Sequence, residues 1–290
     1  IMTSHKGIWE QIGAAEMAFK VKNYSIDPSD ESAVKLDVKG VLASKSMKYP
    51  VRLAYVIHGD GSIETDYEIS AARFFQPLSK GLFWGGIIGT LLFGFLSYLI
   101  LKRVKSIGLK IIGALVPIIF FIASLGALGY SLYDYNQMKP LPRIGVEFEL
   151  PKNQDQARWY GKGPLENYPD RNQGYKMGVH QMSVQELHVP YVRPQENGNR
   201  TQVRWLELGQ DDGAKLRIEG DDLNFSAHYY SYENLASAAH TVDLKAAETI
   251  TLNVDHKTSG LGGCSFMYNF MDEYLLTDKS YAYRFTIKGM

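Results

Sequence analysis

The sequence predicts an all-β fold, a large antiparallel sandwich, interrupted by an inserted α-helical hairpin of apolar residues. Three observations carry that reading. Apolar and polar residues alternate at period two in stretches on both sides of the chain's middle, as in strands with one buried and one wet face. Asp60-Gly61 stands between two such stretches and signals a two-residue hairpin turn. Residues 81–101 and 111–133 carry no charge at all, although the chain as a whole balances 31 Lys+Arg against 31 Asp+Glu. That neutral balance argues against nucleic acid as a partner, which calls for a basic face. The single cysteine, Cys264, excludes an intramolecular disulfide and any zinc site with two thiolates.

The elements follow in chain order. Ile8, Ile12, Ala15 and Phe19 are spaced as one amphipathic helical turn. Strands are expected at Val34, Leu36 and Val38, over residues 51–57, and at Ile63, Thr65, Tyr67 and Ile69. Beyond the apolar middle come Ile144, Val146, Phe148 and Leu150, then Leu216 and Ile218, then Ile250, Leu252 and Val254. Tyr281, Tyr283, Phe285 and Ile287 close the series. The β domain is thus expected in two parts, 1–75 and 141–290, with residues 76–140 as an insertion. Such an insertion costs little, because loop-closure entropy grows only logarithmically with length.

Each apolar stretch reaches about 30 Å as a helix, the thickness of a bilayer core. Residues 81–101 and 111–133 are therefore expected to span a lipid bilayer as a transmembrane hairpin. Gly81, Gly85 and Gly89 recur every four residues, and Ala123 with Ala127 offers a facing strip. Trp84, Tyr130, Tyr133 and Tyr135 suit an interfacial belt, and Pro117 is tolerable within a membrane helix. The connector holds Lys102, Arg103, Lys105 and Lys110, which by the positive-inside tendency faces the cytoplasm and places the β domain outside. Arg73, Lys80, Lys139 and Arg143 on the outer flanks weigh the other way, towards a cytoplasmic β domain. The bland alternative is a buried helical pair, but a chain of this size could hardly cover both helices all round.

No nucleophile elbow, zinc-protease helix motif or phosphate loop occurs. None of the seven histidines pairs at metal-ligand spacing, and Met267 and Met271 near Cys264 read as ordinary packing. Polar density peaks twice. In residues 159–171, Glu166, Asn167, Asp170 and Arg171 accompany Trp159 and Tyr168 on a path broken by Gly161, Gly163, Pro164 and Pro169. Aromatic faces beside planar polar groups suit a sugar, and equally a loop knitted to itself. In residues 189–208, Arg193, Gln195, Glu196, Asn197, Asn199 and Arg200 crowd around Pro194 and Gly198. A buried polar network needs such a mixture, so this segment reads as an ordered junction, an interface or a cleft wall.

These two segments resemble the C-terminal domain of family 2 β-galactosidases, which in some bacteria is a separate small subunit. The resemblance extends to residues 225–235 (FSAHYYSYENL), 240–244, the LGG at 261–263, 273–276 and 281–287, with 9–13 and 21–69 as its first part. It covers everything except the hairpin, and implies a galactose-mutarotase-like supersandwich. It also implies that the two catalytic glutamates of a retaining glycosidase, and the family's metal ions, belong to a TIM-barrel domain outside this chain. Glu166 and Glu196 are then structural or cleft-wall groups, and no catalytic or metal-binding residue is expected here. The family's sugar-stacking Trp, on the loop after the Gly-Gly pair, is missing. Phe266 is its best positional substitute and Met267 the next, with a smaller stacking face. Leu165 replaces a polar residue usual in its motif.

Three functions follow from the resemblance. The chain could complete the active site and assembly of a β-galactosidase, with the barrel-bearing domain or large subunit and a galactoside as partners, within an oligomer. It could be a non-catalytic, membrane-anchored carbohydrate-binding or scaffolding module. A stand-alone mutarotase-like enzyme would need a histidine, His180 or His228, converging with Glu166. Ile1 preceding Met2 is expected of a chain that begins inside a longer protein or after processing.

Overall fold

A computed structural model describes residues 17–30, 32–44, 48–70, 80–103, 105, 115, 117–130, 141–210, 213–261 and 271–290. The chain divides into two compact units, and the strands listed by the alternation fall mostly in the one formed by Val21–Val41, Pro50–Ala71 and Pro140–Met290. The other comprises Ile1–Lys20, Leu42–Tyr49 and Ala72–Lys139.

The strands are β1 (Ala18–Asp30), β2 (Ala33–Ala43), β3 (Lys48–His58), β4 (Ile63–Ser70), β5 (Arg143–Pro151), β6 (Gln156–Gly163) and β7 (Lys176–Ser183). They continue with β8 (Arg200–Gly209), β9 (Lys215–His228), β10 (Thr249–Thr258) and β11 (Ser280–Gly289). Their order is β1-β2-β3-β4-β11-β9-β8-β6-β7, with β10 joined to both β9 and β5. The branch lies on β9. Its first half, around Leu216–Gly220, pairs β11, whereas Asn224 to His228 pair β10. Asp222 between the halves has φ +57°, a local break that lets one strand serve two layers. The layers meet through side chains: Phe148 of β5 lies edge-on to Phe285 of β11 at 6.5 Å, and His256 of β10 stacks on Tyr283 at 5.2 Å. The result is the expected antiparallel β-sandwich.

Period-two alternation sets the core. Ile250, Leu252 and Val254 of β10, and Tyr281, Tyr283 and Phe285 of β11, are buried. Each large apolar side chain withdrawn from water contributes on the order of 1.5–3 kcal/mol. Phe19 lies in β1 and is part of a strand; the rest of the expected N-terminal helical turn lies outside the described residues. The turn at Asp60-Gly61 is also one residue longer than expected. The His58 N–H donates to Ser62 O at 2.9 Å, closing three residues, and Gly61 adopts φ +82°. That is the three-residue hairpin with a left-handed glycine, further pinned by the Ser62 N–H donating to Asp60 Oδ1 at 2.8 Å.

In the other unit, α1 (Lys80–Arg103) and α2 (Pro117–Tyr130) are apolar helices that pack on each other. A Cβ on Gly86 would lie 3.0 Å from Leu128 N, and one on Gly89 would collide with Ser124 Oγ. Phe93 stacks on Phe120 at 4.9 Å. The contact ridge is therefore Gly86, Gly89 and Phe93, at helical spacing i, i+3, i+7; of the expected four-residue series Gly89 takes part, whereas among the described residues nothing lies within 4 Å of a Cβ on Gly85. Ser97 and Ser124 donate back to Phe93 O and Phe120 O, so neither hydroxyl needs solvent. Among the described residues one helix, over Trp84–Arg103, is long and apolar enough to cross a membrane by length and composition. The described part of the second apolar helix, Pro117–Tyr130, falls within the expected 111–133, whose ends lie outside the described residues.

Candidate functional site

The two polar segments meet where β6 ends and β8 begins. β6 turns its Ala157, Trp159 and Gly161 inward by alternation, so Trp159 is a core residue with no exposed surface. Its ring meets Phe225 at 5.4 Å and His180 at 5.3 Å, and its Nε1–H donates to Lys162 O at 3.2 Å. Trp159 thus has no face left for a sugar, which corrects its place as a cleft candidate.

Glu166, Asn167 and Tyr168 follow the cis Gly163–Pro164 bond and are all buried. One Glu166 oxygen accepts from Arg171 Nη2 at 2.7 Å and from the Tyr191 hydroxyl; the other accepts from the Gly198 N–H at 2.9 Å. Asn167 Oδ1 accepts from Thr201 N and Oγ1, while the Asn167 N–H donates to Asn199 O and Asn199 Nδ2 donates to Asn167 O. These bonds lock residues 166–171 onto residues 191–201. Gly198 is the pivot: its φ is +74°, and a Cβ there would lie 2.8 Å from Leu187 O and 3.0 Å from His228 Cε1. Tyr168 is buried beneath the Arg171 guanidinium, whose carbon lies 5.8 Å from its ring centre. Burial, reinforced by the Glu166 and Glu196 carboxylates, drives the Tyr168 phenol well above its ordinary range.

Arg200 is the buried cation of the junction. It carries 1% exposure and no carboxylate partner among the described residues. Instead it donates to the carbonyls of Pro164, Leu187 and Gly198, and its guanidinium lies 5.6 Å from the Trp159 ring centre. Desolvation lowers its pKa to about 10, still ionised at neutral pH. His228, at the end of β9, donates from Nε2 to Asn197 O at 2.8 Å, and Asn197 Oδ1 accepts from the Val189 N–H. The His228 Nδ1 has no hydrogen-bond partner among the described residues. A proton there would be buried without an acceptor, and burial takes this imidazole down to about 4.

Glu196 joins a second centre. It accepts from Arg143 Nη1 at 2.7 Å, and Arg143 also grips Asp255 of β10 through two nitrogens. Burial opposes the Arg143 charge, but the Asp255 and Glu196 carboxylates outweigh it and raise its pKa. Complete burial pushes the Asp255 carboxyl up to about 6, with Arg143 pulling against it. Sequence reasoning missed Asp255, Thr201 and Tyr191 as members of the network. Asp255 stands 112 residues from Arg143, and only the β10–β5 register joins them.

The remaining candidates stand apart. Arg193 is exposed and makes no ion pair among the described residues. Asp170 is half-buried with its carboxylate against the backbone of Gly260. Phe266 and Met267 lie outside the described residues. Among the described residues no group of three or more His, Cys, Asp or Glu could hold a metal ion. Chemically, the arrangement is a positioning device. A retaining glycosidase needs two carboxyls facing one cleft about 5–5.5 Å apart. Glu166 and Glu196 are instead each held by an arginine. The mutarotase-like alternative fares no better, because Glu166 already accepts from Arg171, Tyr191 and Gly198, His228 is closed off from solvent, and the His180 ring lies against Trp159.

The chain matches the family model for the β-galactosidase small chain over residues 3–287. It belongs to the β-galactosidase small-chain family. The β-galactosidase of Vibrio vulnificus (strain YJ016) is 39% identical over 154 residues, 52% of this chain and 14% of that protein. That of Priestia megaterium (strain DSM 319 / IMG 1521) is 36% identical over 176 residues, 56% of this chain and 17% of that protein. That of Arthrobacter sp. (strain B7) is 40% identical over 127 residues, 42% and 12% respectively. This small chain therefore spans only a minor part of each relative's length. A solved galactose mutarotase-like protein from Lactobacillus casei ATCC 334 aligns with 93% of this chain and 74% of its own, at 8% identity and a TM-score of 0.35.

Proposed function

We propose that this small chain completes the active site and the assembly of a retaining β-galactosidase whose catalytic glutamates lie outside it. The family match over residues 3–287, which takes in both β segments, carries the proposal. The site geometry supports it. Glu166 and Glu196 serve to hold loops, and the locked loops present Leu165 at 60% exposure and Val192 at 94%. Apolar side chains displayed on a rigid platform suit contact with the catalytic barrel rather than solvent. Metal ions of the assembled enzyme are assigned to that barrel. Phe266, and next to it Met267, would line the galactoside site contributed by this chain. The test is to co-express the chain with a barrel-bearing partner and assay chromogenic galactoside hydrolysis. Co-purification with restored hydrolysis is expected; the partner's activity unchanged by this chain would overturn the proposal.

The two apolar helices are proposed to anchor the enzyme in a lipid bilayer, with the β domain on the extracytoplasmic side. The supporting observation is exposure: only 11% of the apolar window of α1 is buried, with Ile88, Leu91 and Phe95 all outward. A core helix of a water-soluble protein would be covered. Carbonate-resistant membrane association, lost on replacing residues 81–133 by a short polar linker, is the expected result.

A further inference from the structure

We infer that Lys102, Arg103 and Lys105 form a docking site for the phosphate headgroups of anionic phospholipids at the connector end of α1. The inference rests on the anchoring proposed above and adds which lipid the anchor selects. All three side chains are exposed, within four positions at the end of the apolar helix. Among the described residues none of them has a carboxylate partner, and the sequence holds no Asp or Glu anywhere between Glu68 and Asp134. The cluster is thus a cation site uncompensated among the described residues. Its position matches the depth of a headgroup: Lys102 Nζ lies 5.7 Å from the ring centre of Tyr98, one turn back, the pairing of ammonium and aromatic found at a membrane–water boundary.

The chemistry favours a phosphate diester. The Arg103 guanidinium offers a planar fork that two phosphate oxygens can fill, and the flanking ammoniums attract the same charge as compact points. A simpler role exists, since basic groups in the last turn complement the helix dipole. That role is satisfied by Lys102 and Arg103 alone and gives no preference between lipids; Lys105 lies beyond the helix. In the sequence the first turn of α1 holds a single basic residue, Lys80, against the three clustered at 102–105, so a headgroup preference should belong to one end.

The test is electron paramagnetic resonance of the full chain reconstituted in phosphatidylcholine bilayers, with trace spin-labelled phosphatidylglycerol or phosphatidylcholine. The fraction of immobilised label reports lipid held by the protein. Phosphatidylglycerol is expected to associate about fivefold more strongly than phosphatidylcholine, falling towards equality in 0.5 M salt. The triple variant K102Q/R103Q/K105Q should immobilise both lipids equally, and K80Q should keep the preference. Equal association in the unmodified chain, or an undiminished preference in the triple variant, overturns the headgroup site while leaving the anchor intact. An equal loss in K80Q places the preference at the wrong end and also overturns it. No immobilised component with either label overturns the anchor itself, and the headgroup site with it.

Discussion

Gly198 joins the two polar segments with backbone alone. Its left-handed φ aims an N–H at Glu166, and its missing side chain leaves room for Leu187 O and the His228 ring. Gly198→Ala should therefore cost about 2–4 kcal/mol, combining strain with a displaced carbonyl, in urea unfolding of the β domain. A loss below about 0.5 kcal/mol would show that the junction does not depend on this approach. His228 gives a pH signature. Its folded-state pKa of about 4 lies below the ordinary 6.5. The stability tied to the neutral imidazole is complete above pH 6.5 and is lost as the pH falls from 6.5 through 4. The full loss is on the order of 3 kcal/mol. Asp255, raised from 3.8 to about 6, acts the other way: its contribution is complete below 3.8 and is lost as the pH rises through 6. The difference between the unmodified chain and His228→Gln isolates the imidazole, because glutamine can still donate to Asn197 O. The difference should shrink as the pH falls from 7 to 4.5; a constant difference would contradict a buried, neutral His228.

Among the elements, the strands that alternation made legible have a core-facing row, as in β11, whereas β1 is exposed along its whole length and β6, whose row is equally regular, was not listed from the sequence. The same period explains why Trp159 belongs to the core: position 159 shares a face with Ala157 and Gly161, a parity that a motif-based reading of residues 159–171 overlooks. The hairpin turn after His58 came out one residue longer because Gly61 takes the left-handed position of a three-residue loop. The helix-facing ridge shifted for a like reason, since a series every four residues drifts round a helix of 3.6 residues per turn. The helices bear a prediction of their own. Replacing residues 81–133 by a Gly/Ser linker should leave a β domain that unfolds cooperatively in aqueous buffer, because Ile144, Ile250 and Phe285 are buried by other strands of the sandwich. Loss of the cooperative transition would mean that the helices are needed for the sandwich to fold.

For the molecule as a whole, the polar composition of residues 189–208 read as an ordered junction and that of 159–171 left a sugar site and a self-knitted loop open; the hydrogen bonds join the two segments, and those same residues carried the resemblance to β-galactosidase small chains. Composition could not reveal that Glu166 and Glu196 answer to different arginines, or that Arg200 is held by carbonyls. Those pairings depend on contacts across tens of residues, as in Arg200 with Pro164 and Arg143 with Asp255. Among the described residues, Glu166 and Glu196 are each held by an arginine, and the proposed division of labour assigns hydrolysis to a partner. Hydrolysis of a chromogenic galactoside, measured for the chain alone, a barrel-bearing partner alone and the two together, addresses that division of labour directly. Activity that appears or rises at least tenfold only in the mixture, and falls again in Val192→Asp, is the expected result. Hydrolysis by this chain alone, or a partner indifferent to its presence, would contradict it.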